Sequence, residues 1–383
     1  MRIKSLRIKN NFLGWEIKEI NFTSNLTLLV GGSGVGKTQI LNAINDLKNI
    51  ANGKGINGFE WEISFSIISG REFKWEGSFS IVEDDSEKLF RHNENKEHII
   101  KPIIQFERLT ELNRKEVLLE RNSDNILFKG REMPKLSSTE SMINILKEEE
   151  QIKEISDAFK KIFLKDHTRR EKIRIRFIPQ PSFQLKEKYN TIEKIRGSNE
   201  PIHLKLFLCS ELKLAVFDTI KNRFKNIFPQ IEALKIEQTN SDELSFAKQT
   251  VPIISIKEKT VPKWIREDRM SSGMLRTIIH ISELYLSNEG SVILIDEFEN
   301  SLGVNCLDIL TDDLIHENKT LQFIATSHHP YIINNIPYEY WKIVSRLGGE
   351  IQVRDAADYK LGRSKQDAFL QLTKILERQS AWI

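Results

Sequence analysis

The fold is decided by the stretch Val30-Gly31-Gly32-Ser33-Gly34-Val35-Gly36-Lys37-Thr38, which matches the phosphate-binding pattern G-x-x-x-x-G-K-[ST]. Glycines let such a loop turn tightly and aim its backbone N–H groups at an anion. A helix starting directly after the loop adds partial positive charge. The pattern therefore predicts a cradle for nucleotide phosphates. The candidate phosphate-binding residues are Gly31, Gly32, Ser33, Gly34, Val35, Gly36, Lys37 and Thr38.

The residues on either side of this loop predict the strand–loop–helix context that the pattern requires. Residues 26–30 form a short apolar run typical of a buried strand. After the loop, apolar residues recur at helical spacing until a break near Asn52-Gly53. In this context the Lys37 amino group is expected to contact the β- and γ-phosphates, and the Thr38 hydroxyl to ligate Mg²⁺.

Composition limits the possible classes of protein. The 383 residues allow two or three lobes, and 39% hydrophobic with 29% charged residues is typical of a globular protein. The net charge of +3 gives no overall basic field. Two isolated cysteines, Cys209 and Cys306, argue against a disulfide framework or zinc site. Without a signal peptide or an apolar run of ~18 residues, we expect a cytoplasmic protein with no membrane segment.

A second buried strand is predicted far along the chain, and it ends in two acids. Ser291–Glu297 reads Ser-Val-Ile-Leu-Ile-Asp-Glu, the form known as Walker B. At the end of such a strand, Asp296 is expected to join the Mg²⁺ site and Glu297 to orient or deprotonate the attacking water.

Two shorter segments flank the acidic strand in sequence. Met270-Ser271-Ser272-Gly273-Met274 precedes a predicted helix, and taken alone Ser-Ser-Gly is a good helix N-cap. Downstream, another apolar strand ends in Thr326-Ser327-His328-His329-Pro330. Histidines at the carboxyl end of a strand in a nucleotide-binding sheet are candidates for contact with the γ-phosphate.

Between the loop and these segments, the sequence predicts an antiparallel meander followed by helices. Helical periodicity covers 141–163 and 201–228. The basic stretch Lys160–Arg176 fits either a polyanion contact or a solvated surface. The predicted meander strands are Phe59–Ile68, Phe73–Val82, Ile99–Phe106, Val117–Leu119 and Ile126–Phe128.

The order of these motifs resembles the ABC-type ATPases of the SMC, recombination-repair and OLD group. More narrowly, it resembles stand-alone predicted ATPases of bacterial anti-phage systems of the Septu, PARIS, Gabija and retron kinds. The resemblance covers roughly residues 1–60 and 265–335. It implies an α/β P-loop NTPase of ABC-ATPase type, with a mixed central sheet, an antiparallel β-meander and a helical lobe inserted between Walker A and the signature.

The resemblance also implies a role for each motif. Ser271, Ser272 and Gly273 would be the signature segment, which contacts the γ-phosphate held by a partner subunit. Glu297 would be the catalytic base, His328 the switch histidine and Asn300-Ser301-Leu302 the D-loop. ATP would then lie between two head-to-tail protomers, giving a homodimer or higher homo-oligomer.

This sequence departs from the family pattern at several positions. Ser272 stands where glycine is usual, Met274 where Gln or Glu is usual, and Phe298 where many relatives have proline. These differences concern the rate of hydrolysis more than ATP binding. The Q-loop glutamine is either Gln180 or Gln105.

Three functions fit the motifs. The leading hypothesis is an ATPase that controls a separate effector, such as a nuclease, in an anti-phage complex. The alternatives are an SMC-like DNA-repair ATPase that binds DNA or RNA, and a nucleotide-locked scaffold with little hydrolysis. No Asp-x-Asp set follows His328, so no nuclease is expected in this chain. The predicted divisions are 1–180 and 263–383 for the ATPase head and 181–262 for the inserted lobe.

Overall fold

The computed structural model contains two compact units, which are described separately. Unit 1 comprises Met1–Lys165, Gly290–Phe298 and Thr320–Ile383, and unit 2 comprises Asp166–Glu289 and Glu299–Lys319. The predicted divisions at 180 and 262 stay predictions. The structure describes residues 1–83, 101–123, 125–166, 178–179, 182–198, 200–240, 249–299, 306, 320–328, 333, 335–359 and 371.

Unit 1 is built on a 14-stranded mixed sheet with the strand order β10-β15-β16-β3-β17-β18-β2-β1-β4-β5-β6-β7-β8-β9. This agrees with the predicted mixed central sheet. The strands are β1 (Arg2–Asn10), β2 (Trp15–Asn21), β3 (Leu26–Val30), β4 (Phe59–Ser66), β5 (Glu72–Phe79), β6 (Ile104–Glu111), β7 (Glu116–Arg121), β8 (Ile126–Phe128), β9 (Arg131–Glu132), β10 (Ile162–Asp166), β15 (Val292–Asp296), β16 (Gln322–Ser327), β17 (Trp341–Leu347) and β18 (Glu350–Asp355).

Four parallel strands form the part of the sheet that carries the predicted motifs. β15 pairs with β16, β16 with β3 and β3 with β17, all in parallel. Every residue of β3, β15 and β16 is buried, as expected for parallel strands that are covered on both faces. Because the carboxyl ends of parallel strands meet at one end of a sheet, β3 and β15 bring their following residues to the same place. We call this the phosphate-loop end.

The antiparallel meander formed by β4 to β9 confirms the predicted meander. Its inner face carries a cluster of large aromatic side chains, in which the ring centroids of Trp61 and Trp75 lie 5.1 Å apart. Helix α3 (Glu150–Lys160) covers this face, with Phe159 packed edge-on against Trp75 at 5.1 Å. Rings of this size contribute much of the apolar area that unit 1 buries.

The prediction for the third meander strand was wrong at both ends, because β6 runs over Ile104–Glu111 rather than 99–106. Two buried acidic residues in β6 interrupt the alternation of apolar and polar residues that would have extended the predicted strand. Glu107 accepts hydrogen bonds from Trp75 Nε1 (3.1 Å) and the Met142 amide (2.9 Å), and Glu111 pairs with Arg71. Burial raises the pKa of the Glu107 carboxyl above its ordinary value.

The segment 141–163, predicted to be helical throughout, contains two helices and the start of a strand. That segment divides into α2 (Met142–Ile145) and α3, and Ile162 already belongs to β10. Ile162 is fully buried, so its apolar side chain suits a core strand as well as a helix. The helix after the phosphate loop, α1 (Lys37–Ala51), ends at the predicted break.

Unit 2 combines helices with a second, four-stranded sheet. The predicted helix 201–228 is interrupted at Lys213, whose positive φ of 51° separates α6 (Ile202–Glu211) from α7 (Ala215–Ile227). Cys209 lies buried in α6, and burial raises the pKa of its thiol to about 12, so it is not a reactive thiolate. The elements are β11 (Ile178–Pro179), α4 (Ser182–Lys188), α5 (Ile192–Gly197), α6 (Ile202–Glu211), α7 (Ala215–Ile227), β12 (Ile231–Asn240), β13 (Gln249–Glu258), β14 (Ile265–Arg266) and α8 (Ser272–Leu286).

Among the helices that the structure describes, none combines the length and apolar composition needed to cross a membrane.

Candidate functional site

The phosphate loop lies between β3 and α1, at positions where a side chain larger than hydrogen could not fit. A Cβ on Gly31 would lie 2.6 Å from the backbone oxygen of Val344 on β17. A Cβ on Gly36 would lie 2.5 Å from Ile351 Cδ1, and Gly36 also has a φ of 102°. The glycines thus allow the loop to turn against β17 and β18 before α1 begins.

The Lys37 side chain folds over the loop that precedes it. Its Nζ donates hydrogen bonds to the carbonyl oxygens of Gly31 at 2.8 Å and Gly32 at 2.7 Å. The amino group therefore lies at the loop, where a phosphate held by the backbone amides would be within its reach.

Residues from two distant motifs meet at the start of α1. The Thr38 hydroxyl contacts both carboxylate oxygens of Asp296, at 3.1 Å from Oδ1 and 2.9 Å from Oδ2. Asp296 is the last residue of β15 and is 8% exposed. The structure therefore brings together the two predicted Mg²⁺ ligands, although 258 positions separate them in the sequence.

A third residue of this cluster, Thr326, was not among the predicted site residues. Thr326 lies on β16, next to β15, and its hydroxyl donates to Asp296 Oδ1 at 2.6 Å. The same hydroxyl accepts a hydrogen bond from the Glu297 amide at 2.8 Å. The signal in the sequence is weak, since a threonine in an apolar strand is ordinarily read as a β-branched core residue.

The predicted base, Glu297, directly follows β15 and is only partly buried. Its φ is 49°, a left-handed conformation that few residues other than glycine adopt. This backbone turn ends the strand, and the next residue, Phe298, donates its amide to the Thr326 carbonyl at 3.1 Å.

The predicted switch histidine, His328, follows β16 directly and is exposed. Because β15 and β16 are parallel, His328 leaves the sheet at the same end as Asp296. Its contact with a γ-phosphate stays a prediction.

The predicted signature segment lies in unit 2, where Ser271 is the N-cap of α8 and its Oγ accepts from the Met274 amide at 3.2 Å. Ser272 and Gly273 form the first turn of that helix. The contribution of all three to an ATP site stays a prediction. The predicted D-loop 300–302 and Gln180 lie outside the described residues, whereas Gln105 is an exposed residue of β6.

The donor atoms at Thr38 and Asp296 fit the ion that phosphate loops use. Mg²⁺ prefers oxygen ligands and, beside a nucleotide, takes few of them from protein. One hydroxyl and one carboxylate, together with phosphate oxygens, satisfy that preference. Within the described residues, no group of three or more His, Cys, Asp or Glu side chains could hold a metal alone.

Comparison with protein-family models identifies the family. Residues 26–334 match the model described as "AAA domain, putative AbiEii toxin, Type IV TA system". The chain belongs to this family. The matched region runs from β3 past His328, so it includes the phosphate loop, the acidic strand and the residues between them. The mixed α/β sheet, with a phosphate loop between β3 and α1, is the fold of a P-loop ATPase.

Solved structures that resemble the chain include three SMC head domains, and all three are distant in sequence. One is an Smc head bound to the C-terminal winged-helix domain of ScpA, with 15% identity, a TM-score of 0.48 and coverage of 92% of this chain and 97% of that one. Another is the SMC head domain from Thermotoga maritima, with 13% identity, a TM-score of 0.41 and coverage of 93% and 99%. The third is an Smc head with an extended coiled coil, bound to the C-terminal domain of ScpA derived from Pyrococcus furiosus (15%, 0.44, 98% and 99%). A comparison of the chain with curated proteins found no match.

Proposed function

We propose that the chain binds Mg·ATP at the phosphate loop and hydrolyses it. The observation that carries this proposal is the pair of contacts between Thr38 and Asp296, because a hydroxyl and a carboxylate converge beside a glycine-rich phosphate cradle. Phosphoryl transfer depends mainly on positioning and charge stabilisation, and these residue types provide both.

Each residue of the site has a distinct proposed role. The amides of residues 31–36 hold the phosphates, and Lys37 neutralises the charge of the β- and γ-phosphates. Thr38 and Asp296 hold Mg²⁺, which when bound withdraws charge from the phosphate oxygens. Glu297 accepts the proton of the attacking water.

We further propose that ATP binding brings two copies of the chain together. Support comes from exposed apolar side chains at the phosphate-loop end of the sheet. Most of the large hydrophobic residues that are exposed in the described part of unit 1 occur there. We call this group the apolar rim, and it consists of Phe12, Leu13, Ile81, Ile103 and Leu347.

The strand pairings place Leu347, Phe12 and Leu13 nearest to the phosphate loop, whereas Ile81 and Ile103 lie farther along the same end of the sheet. Leu347 ends β17, which runs parallel to β3, so it leaves the sheet at the same end as Gly31. The turn between β1 and β2 carries Phe12 and Leu13. It lies next to the turn between β17 and β18, because the Glu16 amide donates a hydrogen bond to the Gly349 carbonyl at 2.9 Å. Exposed apolar groups of this kind are typical of a protein interface.

The experiment measures molar mass by light scattering, and phosphate release on the same samples, with and without Mg²⁺ and ATP. The wild-type chain should dimerise with both present and should release phosphate. Leu347→Asp, which charges a side chain that is 74% exposed, should weaken the dimer at least tenfold. It should leave the ATP affinity of the monomer, measured at low protein concentration, unchanged. Losing the burial of one leucine costs about 1.5–3 kcal/mol, enough for that weakening of the dimer.

The matched control is Leu112→Asp, which alters an exposed leucine in the turn between β6 and β7. That turn lies at the opposite end of the sheet, so the variant should dimerise as the wild type does. A wild-type chain that stays monomeric with Mg·ATP, or equal dimerisation of both variants, would contradict the proposed dimer.

We also propose that the ATPase acts on a separate effector protein, such as a nuclease, in a bacterial anti-phage or toxin–antitoxin system. The family name, which refers to a type IV toxin–antitoxin system, supports this proposal. Co-expression with the products of adjacent genes tests it, because a dedicated effector should co-purify with the chain. If the chain purifies without any of these proteins, both with and without Mg·ATP, the result would speak against the proposal.

A further inference from the structure

The Thr326 hydroxyl contacts both acidic residues of the candidate site, the first through its side chain and the second through its backbone amide. Thr326 lies on β16, which pairs with β15 on one side and β3 on the other, and it is 1% exposed. Its Oγ1 donates to Asp296 Oδ1 at 2.6 Å and accepts from the Glu297 amide at 2.8 Å. A threonine hydroxyl has a single donor proton, and here that proton is directed at the carboxylate.

We propose that Thr326 is a positioning residue for ATP hydrolysis, whose hydroxyl fixes the Asp296 carboxylate toward Thr38 and holds the Glu297 backbone in its left-handed turn. This inference rests on the proposed ATPase function. It goes beyond that function, because it assigns a role to a residue that need not contact the nucleotide.

The orientation of the Asp296 carboxylate is restrained from two elements. This carboxylate receives hydrogen bonds from two hydroxyls, that of Thr38 on α1 and that of Thr326 on β16. These donors come from different elements, so together they restrict rotation of the carboxylate. With the Thr326 hydroxyl removed, the buried Oδ1 atom would retain, among the residues that the structure describes, only the longer 3.1 Å contact from Thr38.

Glu297 has a φ of 49°, which is costly for a residue with a side chain. Thr326 holds this conformation from both sides. Its hydroxyl accepts the Glu297 amide, and its carbonyl accepts the amide of the following Phe298 at 3.1 Å. Without the hydroxyl, one of these two restraints is lost, and the direction in which the Glu297 side chain leaves the strand becomes less fixed.

The variant that tests the hydroxyl is Thr326→Val, which keeps the branched shape in the sheet but can neither donate nor accept. We expect kcat for ATP hydrolysis to fall at least tenfold, because small misplacements of catalytic groups have large effects on rate. Thr326→Ser, which restores the hydroxyl, should recover kcat to within about threefold of the wild type.

A second readout does not depend on turnover. In Thr326→Val, ATP affinity measured with Mg²⁺ should fall several-fold, because Asp296 is less well oriented, whereas affinity measured in EDTA should equal that of the wild type. The matched control is Thr27→Val, which removes another fully buried threonine hydroxyl, from β3, where it accepts from the Thr23 amide at 3.0 Å. That variant should lower the melting temperature without changing kcat or the dependence of ATP affinity on Mg²⁺.

The outcomes separate this inference from the function on which it rests. A wild-type chain that neither binds nor hydrolyses ATP overturns the proposed function, and the inference with it. An active wild type with an equally active Thr326→Val overturns the inference alone. Equal loss of kcat in the Val and Ser variants also overturns it, because the effect would then follow the shape of the side chain and not its hydroxyl.

Discussion

Replacing Glu297 with glutamine should lower the steady-state rate of ATP hydrolysis at least a hundredfold. Glutamine keeps the size of the side chain and its hydrogen-bonding capacity but cannot accept the proton of water. A positioned general base contributes about 10²–10⁴-fold to rate. Because Glu297 directly follows the buried strand β15 and its amide is held by Thr326, the substitution should leave the backbone unchanged. Phosphate release under saturating ATP measures the effect.

The control for Glu297→Gln is ATP binding, which should match that of the wild type. With turnover blocked, the variant should accumulate as an ATP-bound dimer, visible as a doubled molar mass in light scattering with Mg·ATP. Hydrolysis at the wild-type rate would show that another group acts as the base.

The second large effect is expected at Lys37, where alanine should weaken ATP binding at least tenfold, or about 1.4 kcal/mol. The substitution removes the amino group that lies 2.8 Å and 2.7 Å from the two loop carbonyls while leaving the loop glycines in place. Isothermal titration calorimetry of each protein with ATP and Mg²⁺ measures the dissociation constant.

Lys48→Ala provides the matched control for Lys37→Ala, because Lys48 lies in the last turn of the same helix. Its Nζ donates to the Ile162 carbonyl at 2.6 Å, away from the loop, so its removal should not alter ATP affinity. Unchanged affinity in a folded Lys37→Ala protein would refute the assignment of the phosphate loop.

The parts of the site that the sequence predicted are those encoded by local patterns. The phosphate loop and the acidic strand each carry their signal within about ten residues, and both elements form where they were expected. The contact between Thr38 and Asp296 follows once both elements are placed in one parallel sheet.

Thr326 could not be predicted in this way, because its role depends on which strand lies beside β15. The pairing of Ile295 with Ala325 places Thr326 next to Asp296, and this register is a property of the sheet. The third meander strand was misplaced for a related reason. Glu107 and Glu111 occupy buried positions, where partners elsewhere in the fold compensate their charge, and a periodicity of apolar residues does not detect them.

The proposed ATP-driven dimer, together with the composite ATP sites predicted for it, is tested most directly by mixing two inactive variants. Lys37→Ala alters the phosphate loop, and Ser271→Arg alters the predicted signature segment at the start of α8. If each site combines the loop of one chain with the signature of the other, a mixed dimer has one site with both lesions and one with neither. Steady-state ATP hydrolysis is measured for each variant alone and for the mixture, with mixed dimers verified by differential tagging.

We expect that each variant alone is inactive, that Ser271→Arg still binds ATP, and that the mixture regains hydrolysis. Mixed dimers that stay as inactive as the separate variants would contradict this expectation. Loss of ATP binding in Ser271→Arg alone would likewise contradict it, because the serine would then act in the same site as the Lys37 of its own chain.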